Sequence, residues 1–442
     1  MKKNLTEGSV TGSMLLFAVP MILGNLLQQC YNLADAWIVG KYIGGEALAA
    51  VGSSFTLMTF LTSILIGLCM GSGAFFSICF GKNDEKSMKE GFVASFLLIG
   101  VITLILNVVV FLLRDEIKTL LSVPNEVWDK MRAYLSVIFL GIAATFLYNY
   151  FASLLRAVGN STVPLIFLAI SAVLNIALDF YFILILKKGV AGAAVATVIA
   201  QYVSALGLAL YTWLGFPSLR ISREHLRVRA RHIREITSFS LLTCIQQSVM
   251  NLGILMVQGL VNSFGAAVMT AFAAAVKIDA FAYMPVQDFG NAFSTFIAQN
   301  YGAGRSDRIR KGVKSAVLTA VVFSVFVSAV VFLFARPLLG IFIDASETAI
   351  LDIGVRYLRI EGAFYVGIGL LFLLYGLFRA MARPGMSVIL TVISLGTRVL
   401  LAYSLAPIFG VTAIWWAIPI GWALADITGF AYYYFKKHSL IA

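Results

Sequence analysis

The chain has 442 residues, of which 60% are hydrophobic and 12% are charged, and its formal net charge is +12. A soluble domain carries about 25% charged residues, so this composition excludes an ordinary soluble enzyme. The mean hydropathy is +0.92, and the apolar runs reach the roughly 20 residues that a membrane-spanning helix requires. We therefore expect an all-α integral membrane protein.

Charge clusters and Gly/Pro punctuation divide the apolar sequence into twelve predicted transmembrane helices. Several of them are longer than a bilayer is thick and are expected to tilt or to extend beyond it. The three histidines all lie in polar stretches, so no histidine-based metal site and no resident cofactor are expected. In chain order the predicted segments cover 13–38, 46–79, 91–113, 132–155, 163–186, 190–214, 235–262, 267–299, 314–335, 353–379, 385–406 and 410–435.

The basic residues predict the sidedness of these segments. If the N-terminus is cytoplasmic, most of the 33 Lys and Arg residues fall in or beside cytoplasmic loops and termini. The positive-inside rule then places both termini in the cytosol of a multi-pass plasma (inner) membrane protein. This asymmetry accounts for the net charge, so no nucleic-acid partner is expected. The basic run Arg220–Glu235 is interpreted as a linker lying along the lipid of the inner leaflet.

The sequence contains two similar halves. Pairs of residues recur at near-constant offsets of 221 or 223, namely Phe80-Gly81 with Tyr301-Gly302, Tyr134-Leu135 with Tyr357-Leu358, and Arg156-Ala157 with Arg379-Ala380. The pattern predicts an N-terminal six-helix lobe (1–215), a basic linker (216–234) and a C-terminal six-helix lobe (235–442), parallel and related by a pseudo-twofold axis along the membrane normal. Repeated bundles are common in secondary active transporters, which are not enzymes.

Ionisable side chains within a membrane usually have a functional reason to be there. In the first half, Asp35, Asp179 and Thr197 lie about 9 to 12 Å below the outer ends of their helices at 1.5 Å per residue. Asn175 lies one turn from Asp179 on the same helix face. The four form an oxygen cluster suited to a hard cation or to a proton shared by two carboxylates. The alternative is a static hydrogen-bonded set that anchors the helices.

The second half carries a different polar set. Lys277, Asp279, Glu361 and Arg398 are interpreted as an internal salt-bridge network, with a second ion or substrate site as the alternative. Asp288 and Asp426 are expected at an inner gate or paired with loop arginines. Pro20 interrupts the first helix, where it removes a backbone donor. It is either a tolerated membrane proline or a hinge that bends the helix when Asp35 changes protonation.

Together these features resemble the multidrug and toxic compound extrusion family over nearly the whole chain. The similar patterns, in order, are Pro20-Met-Ile-Leu-Gly24, Asn32-Leu-Ala-Asp35 with Val39-Gly40, Arg156-Ala-Val-Gly159-Asn160 before Pro164, Asn175-Ile-Ala-Leu-Asp179, Gly189-Val-Ala-Gly192-Ala-Ala and Ala298-Gln-Asn-Tyr-Gly302-Ala. The resemblance implies a monomeric multidrug efflux antiporter. It would export small organic compounds, often cationic and aromatic, in exchange for H⁺ or Na⁺ by alternating access.

The resemblance also assigns residues. In the branch with a first-half cation site, the matching positions are Asp35, Asn175, Asp179 and Thr197, with Ala193 as a neighbour, and these would hold Na⁺ if Na⁺ is the coupling ion. A second branch has a glutamate on the seventh helix, where this chain has Gln246 and Gln247. The alternative function is a flippase for lipid-linked oligosaccharides or other polyisoprenoids. Such relatives usually carry more helices and a more cationic cavity.

Overall fold

The computed structural model of the protein describes residues 4–120, 125–222 and 229–441, and within these ranges it is helical with no β-strand. A π-helical turn at Tyr181–Ile185 and short 3-10 turns at Phe139–Gly141 and Pro217–Leu219 join some of the helices. The α-helices are α1 Val10–Tyr42, α2 Gly45–Gly81, α3 Glu85–Leu112, α4 Arg114–Leu120, α5 Asn125–Ile138, α6 Ile142–Ala157, α7 Thr162–Phe180, α8 Gly189–Gly215, α9 Ala230–Asn262, α10 Ala266–Gly302, α11 Ser306–Leu333, α12 Ala335–Leu339, α13 Thr348–Gly362, α14 Tyr365–Ala380, α15 Pro384–Phe409 and α16 Val411–Ile441.

Eleven stretches of the described chain are long and apolar enough to cross a membrane, and α13 with α14 makes up to twelve. The expected all-α membrane fold is confirmed. In such a fold each helix satisfies its own backbone hydrogen bonds, which hydrocarbon cannot do. The predicted segment 353–379 is not one straight helix, because α13 and α14 meet at a bend of 50°. At the bend, the Phe364 N–H donates to the Glu361 carbonyl at 3.0 Å, a tighter turn than an α-helix makes.

The contacts within the chain divide it into two compact units. The first unit comprises Met1–Asn4 and Leu23–Cys244, and the second comprises Leu5–Ile22 and Ile245–Ala442. The first part of α1 therefore belongs to the second unit, and the first part of α9 belongs to the first unit. The lobe boundaries read from the sequence stay a prediction, and residues 223–228 of the predicted linker 216–234 lie outside the described residues.

Local structure repeats at the offset of 221 found in the sequence. Gly44 and Gly265 precede α2 and α10 with φ of 115° and 95°, values that a residue with a side chain rarely adopts. On α3, Gly91 makes room for the Phe75 ring of α2, and Gly312 of α11 makes the same room for Phe296 of α10. Each unit thus uses the same turn and the same ring-on-glycine packing.

The beginning of α1 is fixed to the second unit by Arg308. Its guanidinium donates to the backbone carbonyls of Leu5 at 3.1 Å, Glu7 at 3.0 Å and Gly8 at 2.8 Å, and to Asn300 Oδ1 at 3.1 Å. The Leu5 side chain is fully buried. Arginine has five donors in a fixed fork and can therefore hold several carbonyls at once.

The beginning of α9 is fixed to the first unit by a buried acid. Glu90 of α3 is 2% exposed and lies 2.8 Å from His232 Nδ1 and 3.6 Å from Arg229 Nε. Nearby, Asp84 caps α3 by accepting from the backbone and the hydroxyl of Ser87. Burial alone would raise the pKa of Asp84, but these bonds hold it below its usual range.

Glycines also allow α2 and α9 to pack closely within the first unit. A Cβ on Gly67 would lie 2.7 Å from Cys244 Cα, and one on Gly71 would collide with the backbone of Phe239. Ser72 Oγ and Ser240 Oγ share a hydrogen bond of 2.8 Å at this crossing. Small residues let membrane helices approach closely, which increases their van der Waals contact.

We predict that Gly71→Ala destabilises the protein because the added methyl group forces α2 and α9 apart. Overpacking of this kind costs about 1–3 kcal/mol. Thermal unfolding of the purified protein in detergent should show a lower midpoint. The matched control is Gly52→Ala on the same helix, since no atom lies within 4 Å of its added Cβ. Equal midpoints for the two variants would contradict the close packing.

Candidate functional site

The first-half polar set is assembled by α7 and α8. Asn175 and Asp179 lie one turn apart on α7 and are 2% and 0% exposed. On α8, the Thr197 hydroxyl accepts from Asn175 Nδ2 at 3.2 Å and donates to the Ala193 carbonyl at 3.1 Å. These four residues therefore lie together, and Ala193 contributes only its backbone.

Asp35 of α1 completes this set within the first unit. Its carboxyl group lies within hydrogen-bonding reach of that of Asp179. Two carboxyl groups can hydrogen-bond only if one of them carries a proton. With both groups ionised, Asp35 Oδ1, Asn175 Oδ1 and both Asp179 oxygens are buried without a donor. We refer to these four atoms as the orphan oxygens.

The orphan oxygens define what the site can do chemically. A buried polar atom without a partner costs free energy, and a buried carboxylate costs more. A proton on one carboxyl group or a small cation among the oxygens removes that cost. Hard cations prefer oxygen ligands from carboxylates and amides, which is the set present here. The site suits one monovalent charge that can enter and leave.

Two features beside this site were not found from the sequence. Tyr134, 7% exposed, lies within electrostatic reach of both Asp35 and Asp179. Its recurrence as Tyr357 in the second half was a signal that could have identified it. The π-helical turn at Tyr181–Ile185 begins two residues after Asp179, and such turns often occur at functional sites.

The second-half polar set is only partly assembled. Asp279 of α10 and Glu361 of α13 are buried and lie within hydrogen-bonding reach of each other and of Tyr357. The Tyr365 hydroxyl of α14 donates to Asp279. Tyr357 and Tyr365 were missed, although both lie four residues, or one helical turn, from Glu361.

The two basic residues of this set differ in their burial and in their contacts. Arg398 lies within electrostatic reach of Asp279 and Glu361, but its Nε is buried without a hydrogen-bond partner. Lys277 is exposed, and its Nζ lies 5.5 Å from the centre of the Phe342 ring. Lys277 therefore does not join the predicted network, because its position on α10 directs it away from the buried face that carries Asp279.

The other residues singled out in the sequence are one helix proline, one glutamine and two acids. Pro20 lies inside α1, two residues before the point after Ile22 where that helix passes from the second unit to the first. Gln246 is 3% exposed, and its Oε1 has no partner. Asp288 and Asp426 are both buried. Asp426 Oδ1 has no hydrogen-bond partner, so the expected pairing with a loop arginine is not formed there.

A protein-family model described as MatE matches residues 20–181 and 240–404 of the chain, which is most of its length. The chain belongs to the MatE family. Members of this family are transporters, so the chain is a transporter rather than an enzyme. The two matched stretches include Asp35, Asn175 and Asp179 in one and Asp279 and Glu361 in the other.

Several MatE relatives align along nearly the whole chain. The probable multidrug resistance protein YpnP of Bacillus subtilis (strain 168) is 27% identical over 438 residues, covering 98% of this chain and 97% of the relative. The multidrug export protein MepA of Staphylococcus saprophyticus is 24% identical over 442 residues, with 98% and 96% covered. A solved structure described as the outward-facing conformation of a multidrug resistance MATE family transporter of the MOP superfamily has a TM-score of 0.91 at 23% identity, with 99% and 98% covered.

We predict that Tyr365→Phe destabilises the second unit because Asp279 loses a donor while it remains buried. The loss of such a partner costs about 1–3 kcal/mol. The measurement is the midpoint of thermal unfolding in detergent, which should be lower in the variant. The control is Tyr283→Phe, since Tyr283 lies near the same acids without a hydrogen bond to either. If Tyr365→Phe unfolds at the wild-type temperature, the hydroxyl does not support Asp279.

Proposed function

We propose that this MatE protein is a secondary-active antiporter that exports small organic compounds, mainly cationic and aromatic ones, in exchange for H⁺ or Na⁺. The names of the relatives YpnP and MepA support multidrug export. The orphan oxygens of Asp35, Asn175 and Asp179 carry the proposal of ion coupling. They form a buried site in which oxygens without partners cost free energy, and one small cation would remove that cost.

In the proposed cycle, the coupling ion enters from outside and binds between Asp35 and Asp179. Thr197 positions the Asn175 amide, so that Asn175 Oδ1 faces the ion as a third ligand. Neutralising the pair allows the two carboxyl oxygens to lie together without repulsion. Release of the ion on the cytoplasmic side restores the repulsion between the two carboxylates. The free-energy difference between the ion-bound and ion-free states is the coupling free energy.

Pro20 is proposed as the hinge that responds to this change. A proline within a helix leaves the carbonyl four residues earlier without its backbone donor, so bending there breaks no additional hydrogen bond. Its support is the passage of α1 between the two units at Ile22. Asp35 lies further along the same helix, and its packing in the first unit would therefore control the bend.

The second-half set of Asp279, Glu361 and Arg398 is proposed as a structural network rather than a second ion site. Tyrosine hydroxyls supply hydrogen bonds to these acids and Arg398 lies within electrostatic reach of both, which supports a structural role, although Asp279 Oδ2 and Glu361 Oε2 have no hydrogen-bond partner among the described residues. The network lies at the bend between α13 and α14. We further propose that both termini are cytoplasmic, as the basic residues indicate, and that the protein acts as a monomer in the inner membrane.

We predict that Asp35→Asn and Asp179→Asn each reduce ion-driven transport at least tenfold, because each removes the charge exchange at the site. The measurement is ethidium transport in proteoliposomes, under a proton gradient in one arm and a sodium gradient in the other. Asp352→Asn is the control because Asp352 is exposed and pairs with Arg336. If both site variants kept gradient-driven transport, the assignment of the coupling site would be wrong.

We also predict that Pro20→Ala slows transport severalfold while ion binding is unchanged. The new backbone donor restores a hydrogen bond and stiffens α1. Turnover in proteoliposomes and proton or sodium binding to the purified protein are measured side by side. Pro407→Ala is the control, since Pro407 is an exposed helix proline in α15. A turnover equal to that of the wild type would exclude the hinge.

A further inference from the structure

Asp426 of α16 is a buried acid that the proposed ion cycle does not use. The residue is 8% exposed, and its Oδ1 has no hydrogen-bond partner. Among the described residues, no Lys, Arg or His donates a hydrogen bond to this atom. An ionisable group within a membrane bundle usually faces a partner or a pathway. Since the described chain supplies no partner here, a ligand is the remaining candidate.

The surroundings of Asp426 are aromatic and small. Trp422 lies one turn earlier on the same helix, and Tyr375 of α14 lies within electrostatic reach of the carboxyl group. Gly367 of α14 lies beside both Trp422 and Asp426, since a Cβ there would lie 3.3 Å from Trp422 Cβ and 3.7 Å from Asp426 Oδ2. The Tyr375 hydroxyl is bound to Thr391, which holds the ring in place.

This chemistry fits an organic cation better than a metal ion. A bare sodium ion needs several oxygen ligands, and Asp426 supplies only one carboxylate. Aromatic rings attract cations through their faces, and a carboxylate next to rings recognises a charge that is spread over a large apolar group. Such a ligand can also bury its apolar surface against Trp422 and Phe372.

A row of rings continues from this position within the second unit. The ring of Tyr375 lies 6.4 Å from that of Phe372, which lies 6.2 Å from that of Tyr283. Tyr283 is within electrostatic reach of Asp279 and Glu361. The row thus joins the isolated acid to the second-half polar set. An aromatic substituent of the ligand can lie along it while the positive charge stays at Asp426.

We propose that Asp426, with Trp422 and Tyr375, is a binding site for the positive charge of an organic cation. It lies about 15 Å from Lys436 at 1.5 Å per helical residue, so it would receive the compound in the half of the membrane next to the cytosol. The proposal rests on the export function proposed above, but it assigns a residue that the ion-coupling step does not require. Binding without any gradient can therefore test it separately.

The first test is equilibrium binding of ethidium and tetraphenylphosphonium to the purified protein in detergent. We expect Asp426→Asn to weaken both affinities about tenfold, equivalent to ~1.4 kcal/mol. A neutral apolar dye transported by the wild type should keep its affinity. Asp352→Asn is the matched control for loss of one charge. Unchanged cation affinity, or an equal loss for the neutral dye, would overturn the proposal, because neither result fits recognition of charge.

A second test uses the wild-type chain, so it holds even if Asp426→Asn does not fold. Dicyclohexylcarbodiimide modifies carboxyl groups in apolar surroundings, and mass spectrometry identifies the modified residue. We expect tetraphenylphosphonium to protect Asp426 from this modification. Labelling of Asp426 that the cation does not reduce would contradict the site. Failure of ion-driven transport with intact binding would instead contradict the antiport function alone.

Discussion

The constraint on which the rest of the structure depends is the cost of keeping a charged oxygen away from water. A bilayer offers no hydrogen-bond donors, so each buried carboxylate must find a donor, a cation or a proton within the protein. The chain contains buried acids in both units, and each unit meets this constraint differently. In the first, the four orphan oxygens have no donor. In the second, the Tyr365 hydroxyl donates to Asp279 and Arg398 lies within electrostatic reach, while Asp279 Oδ2 and Glu361 Oε2 have no donor among the described residues.

In the proposed cycle, this difference separates a site that changes state from one that does not. At Asp279, a tyrosine donor and the nearby charge of Arg398 stabilise the ionised form, so an external ion would add less there. Where donors are absent, as at Asp179, the free energy of the unit depends on whether an ion is present. Under the proposed function, the first half responds to the ion and the second half does not. Asp426 belongs to neither group, since it lacks both donors and a second acid.

Much of the fold and of the first-half polar set could be predicted from the sequence, because helical spacing and depth in the membrane follow from residue numbers. The four-residue interval between Asn175 and Asp179 places both on one face of any α-helix. Burying a charged group in a bilayer is costly, so such a pair indicates a functional site. Thr197 followed from the same estimate of depth. The offset of 221 found in the sequence also relates Gly44 to Gly265, whose matching turns only the structure shows.

Other features depend on contacts that sequence spacing does not encode. Tyr365, the first residue of α14 after the 50° bend, donates to Asp279 of α10, and no local pattern predicted that α13 and α14 would separate there. The direction of Lys277 depends on which face of α10 is buried, and that is set by neighbouring helices. The division of α1 at Ile22 is likewise a property of packing between helices.

The way Arg308 holds the start of α1 has a consequence for how this family can change during evolution. Three of its four bonding partners are main-chain carbonyls, at Leu5, Glu7 and Gly8. Backbone atoms are the same in every residue type, so substitutions at positions 6 and 7 leave these carbonyls in place, whereas the φ of 71° at Gly8 favours glycine. A change at Arg308 removes four hydrogen bonds and leaves those of Leu5 with Gln299 and Asn300. Positions 6 and 7 are thus free to diverge in sequence while the segment keeps its position, and selection should act on the arginine instead.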